Sequence, residues 1–159
     1  MKKFFADLEI FQNSISSDFN NLNIDFSLSA HWLNSELEEL DDAINMKSIH
    51  EVSSELGDCL CYFSICLNLT GYTFSQFNEK GRSSTNPFKT LSQISTLISK
   101  QNRPNGGLFK NQKLYSPYSQ IFNYFCDVCD EHDLILSNVI AENYEKLKYR
   151  EKIGYGVYN

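Results

Sequence analysis

The sequence predicts an all-α fold, a helical bundle in a single domain over residues 1–159. Three observations carry this. Apolar residues recur three and four positions apart along most of the chain, the spacing that lines up one helix face. Helix starts and stops are marked by Ser, Asn, Pro and Gly at the ends of those runs. Little of the chain alternates apolar and polar residues as a half-buried strand does. The 159 residues, 42% hydrophobic and 14% aromatic, suffice for one real core and exclude a disordered chain.

The elements follow in order. Phe4, Leu8, Phe11, Ile15 and Phe19 keep helical spacing up to the Asn-rich run at residues 20–23. Ser27 or Ser29 is the expected cap of a second helix with the stripe Leu33, Leu37, Leu40 and Ile44. After a short link at residues 46–48, Ser48 and Glu51 read as a capping box. They open a third helix, striped by Val52, Leu56, Cys59, Phe63 and Cys66 and ended by Gly71. Asn86 and Pro87 start a fourth helix through Phe88, Leu91, Ile94, Leu97 and Ile98, and residues 103–113 read as a mobile loop. Residues 121–129 and 134–150 are helical by spacing.

Glu36 and Glu39 form a Glu-x-x-Glu pair on the second helix, and Glu55 and Asp58 a Glu-x-x-Asp pair on the third. Each pair lies on one shoulder of its apolar stripe, in the same phase, while Glu38 and Asp42 point outward. Packed antiparallel through the stripes, the helices bring four carboxylates together. Unpaired carboxylates repel one another and are costly to desolvate, so their convergence calls for a cation. Either pair alone also looks like the solvated edge of a helix; two pairs in one phase on consecutive helices favour the site.

Residues 80–113 hold seven basic residues and no Asp or Glu, within a chain of net charge −6. They are Lys80, Arg82, Lys89, Lys100, Arg103, Lys110 and Lys113. This segment reads either as solvated surface on an inserted hairpin or as a basic arm closing over phosphates beside the acidic site. Phe88 and Phe109 are not interleaved with the charges as in a nucleic-acid module, so nucleic acid is not the expected partner. Downstream, Asn143, Lys146 and Arg150 lie at i, i+3 and i+7 on one helix face. That strip either packs beside the acidic pairs or simply complements the helix dipole.

Trp32, one turn before Glu36, reads as core or as a surface on which a base stacks. His31, His50 and His132 show no catalytic pairing. The apolar stretch at residues 59–69 is broken by Ser64 and Asn68 and is too short for a membrane, and the first residues meet an acid before any apolar run. A cytoplasmic protein is therefore expected, with its five cysteines as free thiols. Cys126 and Cys129 form a lone Cys-x-x-Cys without a second pair at zinc-site spacing. No Walker-type glycine loop is present.

Taken together, Leu33-Asn-Ser-Glu36-Leu-Glu-Glu39, Glu55-Leu-Gly-Asp58 and Asn143-Tyr-Glu-Lys146 resemble the MazG-like all-α nucleoside triphosphate pyrophosphatases. The 15 residues between Glu39 and Glu55 suit that family's spacer. The resemblance covers residues from about 28 to 72 and 134 to 150, and residues 73–133 read as an insertion longer than the compact family pattern needs. It implies a bundle assembled as a homodimer or homotetramer. It further implies magnesium, or manganese in its place, with more than one ion per site, and hydrolysis of a (deoxy)nucleoside triphosphate to the monophosphate and pyrophosphate in nucleotide-pool house-cleaning. On this mapping Glu36, Glu39, Glu55 and Asp58 are metal ligands and catalytic, while Asn143, Lys146 and, more weakly, Arg150 contact substrate phosphate or sugar. Against this stands a non-enzymatic helical interaction module whose acidic pairs meet a partner's basic surface or the chain's own basic segment. A di-iron bundle is disfavoured, since its Glu-x-x-His motif is absent.

Overall fold

A computed structural model describes residues 2–19, 24–77, 81–101 and 112–152, and of these the side chains of residues 7–15, 24–77, 81–100 and 113–149. The described residues form six helices, α1 Lys2–Phe19, α2 Phe26–Asn45, α3 Ile49–Thr70, α4 Pro87–Gln101, α5 Gln112–Glu131 and α6 Leu136–Lys152, with a 3-10 turn at Phe74–Gln76. No strand occurs among them. No helix among the described residues is long and apolar enough to cross a membrane.

The α2–α3 hairpin is the frame. Asp25 caps α2, its carboxylate accepting from Leu28 N at 2.8 Å. This corrects the expectation of Ser27 or Ser29: an anionic side chain both satisfies an orphan N–H and complements the positive helix end. Ser29 lies inside the helix, buried against Cys66 with Oγ and Sγ 3.3 Å apart. Ser48 caps α3 as expected, accepting from Glu51 N at 3.4 Å. Gly71 ends α3 in the left-handed region with φ 77°, which lets Tyr72 N reach back to Leu67 O at 3.0 Å.

α3 is the centre of the bundle. It packs directly on α1, α2 and α6. α5 reaches it through aromatic edges, Phe125 and Tyr118 standing 5.5 and 5.8 Å from Phe63 between ring centroids. The single expected stripe on α3 therefore understates it: Leu60, Cys61, Ile65 and Leu67 are buried as well, and no residue between 52 and 67 is exposed. α1 is tied in by Gln12, which donates to Asn68 Oδ1 and Tyr72 O at 2.7 Å each and accepts from Phe74 N at 3.1 Å.

α4 starts where Asn86 and Pro87 predict, Asn86 Oδ1 accepting from Lys89 N at 3.1 Å, and packs on α2 and α5. α5 differs from expectation: it begins at Gln112 rather than at residue 121, so Lys113 is helical, and residues 103–111 lie outside the described residues. Pro117 lies inside α5, where a proline costs about 3 kcal/mol from local terms alone. Burial of Leu114, Pro117 and Tyr118, with Tyr118 Oη 2.8 Å from Thr70 Oγ1, outweighs it. The five cysteines are free thiols.

Candidate functional site

The α2–α3 hairpin sets matched residues at matched heights. Trp32 packs against Tyr62, ring centroids 5.6 Å apart and planes tilted by 50°. One turn along, Glu36 lies within the field of Asp58, and a further step along Glu39 and Glu55 bring carboxylate oxygens within 4.8 Å of each other. Each step forward on α2 is the same step back on α3, the register of antiparallel helices packed through their stripes. The acidic pairs meet because the apolar stripes beside them meet.

One carboxylate oxygen from each of Glu36, Glu39 and Glu55 lies within 4.8 Å of the others. Glu36 Oε2 and Glu55 Oε2 are buried and have no hydrogen-bond partner. Burial pushes the Glu36 carboxyl up to about 8, reinforced by the charges of Asp58 and Glu39. Burial also raises Glu55, to about 7, helped by its hydrogen bond to Glu39 and the charge of Asp58 and opposed by Lys146. Orphaned hard oxygen donors crowded against one another are what a divalent cation satisfies, so the donor set fits such an ion. Beneath them the Cys59 thiol is fully buried and held far above its ordinary range by desolvation, which makes it packing rather than a nucleophile.

Asp58 is placed differently. Lys146 Nζ lies 2.6 Å from its Oδ2, and Asn143 Nδ2 donates to its Oδ1 at 2.8 Å. Lys146 donates in addition to Ser54 Oγ at 3.2 Å. Three carboxylates thus crowd together while the fourth is engaged by α6. Ser53 Oγ donates to Glu142 Oε2 at 3.0 Å along the same α3–α6 contact. Gly57 permits the approach, because a Cβ there would stand 2.9 Å from Asn143 Cβ.

Of the residues singled out in the sequence, Glu36, Glu39, Glu55, Asp58, Asn143 and Lys146 share this region, and Trp32 lies one turn away, half-buried. The side chain of Arg150 lies outside the described residues. Arg82, Lys89, Lys100 and Lys113 are exposed, and among the described residues no ion pair joins them to the four carboxylates. Lys80, Arg103 and Lys110 lie outside the described residues. Gly57, Ser54 and Tyr62 escaped the sequence reading, although a glycine in mid-helix and a tyrosine one turn after Asp58 were visible signals.

A cleft of about 590 Å³ between α3 and α6, lined among others by Ser53, Ser54, Asn143 and Lys146, adjoins the site. A larger cleft of about 620 Å³ between α2 and α4 is lined by none of the four carboxylates; chemistry, not size, marks the candidate site.

Residues 25–79 match the family model of the MazG nucleotide pyrophosphohydrolase domain. The MazG resemblance read from the acidic pairs is thereby shown for a segment that holds α2, α3 and all four carboxylates. α4, α5 and α6 lie beyond the MazG match. No curated protein and no solved structure matches the chain.

Proposed function

We propose that this chain is a magnesium-dependent nucleoside triphosphate pyrophosphohydrolase. In this reading residues 1–159 form one MazG-like domain, with residues 73–133 as its insertion, acting as a cytoplasmic homodimer or homotetramer in nucleotide-pool house-cleaning. The observation that carries it is the convergence of Glu36, Glu39 and Glu55 beside Asp58 inside the MazG-matched segment. A water attacks a phosphoryl group of the (deoxy)nucleoside triphosphate. The new O–P bond replaces the bond to pyrophosphate, and an acidic side chain of the cluster takes the water's proton.

Glu36, Glu39, Glu55 and Asp58 would hold more than one magnesium, or manganese in its place, their oxygen donors suiting hard cations. Magnesium, when bound, supplies Lewis-acid stabilisation of the charge developing on the phosphoryl oxygens and the leaving pyrophosphate. The half-buried Trp32 beside Tyr62 offers an aromatic surface for the base.

The test is a panel of standard and modified dNTPs and NTPs with magnesium, scored for monophosphate and pyrophosphate. The expected result is pyrophosphate release that Glu39→Gln and Asp58→Asn each abolish with helicity nearly unchanged. Orthophosphate as product, or full activity in either variant, rejects the assignment.

A further inference from the structure

We propose that Asn143 and Lys146 are positioning residues: they fix the Asp58 carboxylate beside the three glutamates, with Gly57 setting their approach, instead of contacting substrate phosphate. The inference rests on the proposed function for its catalytic meaning, but its geometry stands by itself. Each oxygen of Asp58 receives one hydrogen bond from α6, Oδ1 from Asn143 at 2.8 Å and Oδ2 from Lys146 at 2.6 Å. A carboxylate has about four lone-pair sites, so the grip fixes its plane and leaves acceptor capacity on both oxygens. The two donors are one helical turn apart on α6, so a single helix contact sets both bonds.

The grip answers an electrostatic problem. Asp58, only 14% exposed, is a fourth carboxylate beside a crowded trio, and without a compensating charge their mutual repulsion would turn it away. Lys146 supplies the compensating charge and is itself held by Ser54 Oγ at 3.2 Å. The ammonium spends two of its three donors on the carboxylate and this hydroxyl, so those bonds set its position. Gly57 is part of the same construction, since a Cβ there would meet Asn143 Cβ at 2.9 Å and Nδ2 at 3.2 Å. α6 lies outside residues 25–79, so the site is completed by a helix beyond the MazG match.

The test uses Mn2+ alone, which carries no phosphate, titrated into the full chain and followed by the paramagnetic resonance of the free ion. Asn143→Ala, neutral like the residue it replaces, is expected to weaken Mn2+ binding about tenfold, the usual scale for a residue orienting a metal ligand. In an Asp58→Ala background the same substitution is expected to change affinity by less than about twofold, because its effect runs through Asp58. An unchanged affinity in Asn143→Ala, or an equal loss in both backgrounds, overturns the proposal. Lys146→Met, on a partly exposed side chain, provides a second cycle if Asn143→Ala does not fold. Its effect on Mn2+ affinity must likewise vanish once Asp58 is Ala, and an effect that persists overturns the positioning role. With nucleotide, Lys146→Met is expected to lower kcat with KM nearly unchanged, whereas a raised KM at constant kcat marks a phosphate contact and overturns it. If the wild-type chain releases pyrophosphate from no nucleotide, the proposed function falls and the Mn2+ cycles still decide the positioning. Failure of the wild-type chain to bind Mn2+ rejects both.

Discussion

Gly57 and Asn143 touch across the α3–α6 contact so closely that a Cβ at position 57 would stand 2.9 Å from the Asn143 Cβ. Neither atom is the tip of a flexible side chain, so an added methyl must move a helix. Gly57→Ala gains about 1 kcal/mol of helix propensity but overpacks a buried contact at a cost of about 1–3 kcal/mol. We expect a net loss of about 1 kcal/mol in urea unfolding, together with weaker Mn2+ binding as Asn143 is pushed off Asp58. A stabilised variant with unchanged Mn2+ affinity would show that α6 approaches less closely.

The ionised Glu36 carboxylate weighs against the metal-free fold. Burial and the neighbouring charges of Asp58 and Glu39 disfavour its ionised form. Glu36→Gln keeps the shape and removes the charge, so in EDTA at pH 8 we expect its Tm to exceed that of the wild type. The same variant should lose divalent-ion binding. A calorimetric scan in EDTA checks the first expectation, and a lower Tm than wild type would contradict it.

The metal-free protein should weaken as pH rises. Glu36 and Glu55 titrate near 8 and 7 in the folded chain against an ordinary 4.5. Between those values the native state binds more protons than the unfolded one, so stability falls with increasing pH. Their contribution is complete below about 4.5 and is lost as pH passes through 7 and 8. Denaturant melts in EDTA from pH 5 to 9 should trace this decline, and saturating Mn2+ should flatten it by binding only the native state. A rise in stability over the same range in EDTA would contradict the crowding of the carboxylates.

The α2 cap separates two candidates cleanly. Asp25→Ala removes the acceptor for Leu28 N and should cost about 1 kcal/mol. Ser27 is exposed, and Ser27→Ala should stay within about 0.5 kcal/mol of wild type. Urea midpoints of the two variants check the pair, and the reverse order would restore the serine as cap.

Much of this molecule is legible in its residues because helices are local. The 3.6-residue periodicity places the stripe of α2, Ser48 and Gly71 bound α3 through bonds to their own neighbours, and Asn86 with Pro87 opens α4. The acidic pairs are legible for the same reason, since spacing and phase on two consecutive helices joined by a short link leave them one way to meet. α5 is where local reading stops. Pro117 argues against a helix from local terms, and only the burial of Leu114 and Tyr118 against distant partners reverses the balance.

The sequence by itself determined the helical class, the α2–α3 hairpin and the set of four carboxylates, because periodicity and capping act within a few residues. Tertiary structure alone decided how the four divide. Glu36, Glu39 and Glu55 crowd together, whereas Asp58 is gripped by Asn143 and Lys146, residues 85 and 88 positions away. No spacing rule reaches that far. The division depends on where α6 crosses α3, an approach that the missing side chain of Gly57 permits.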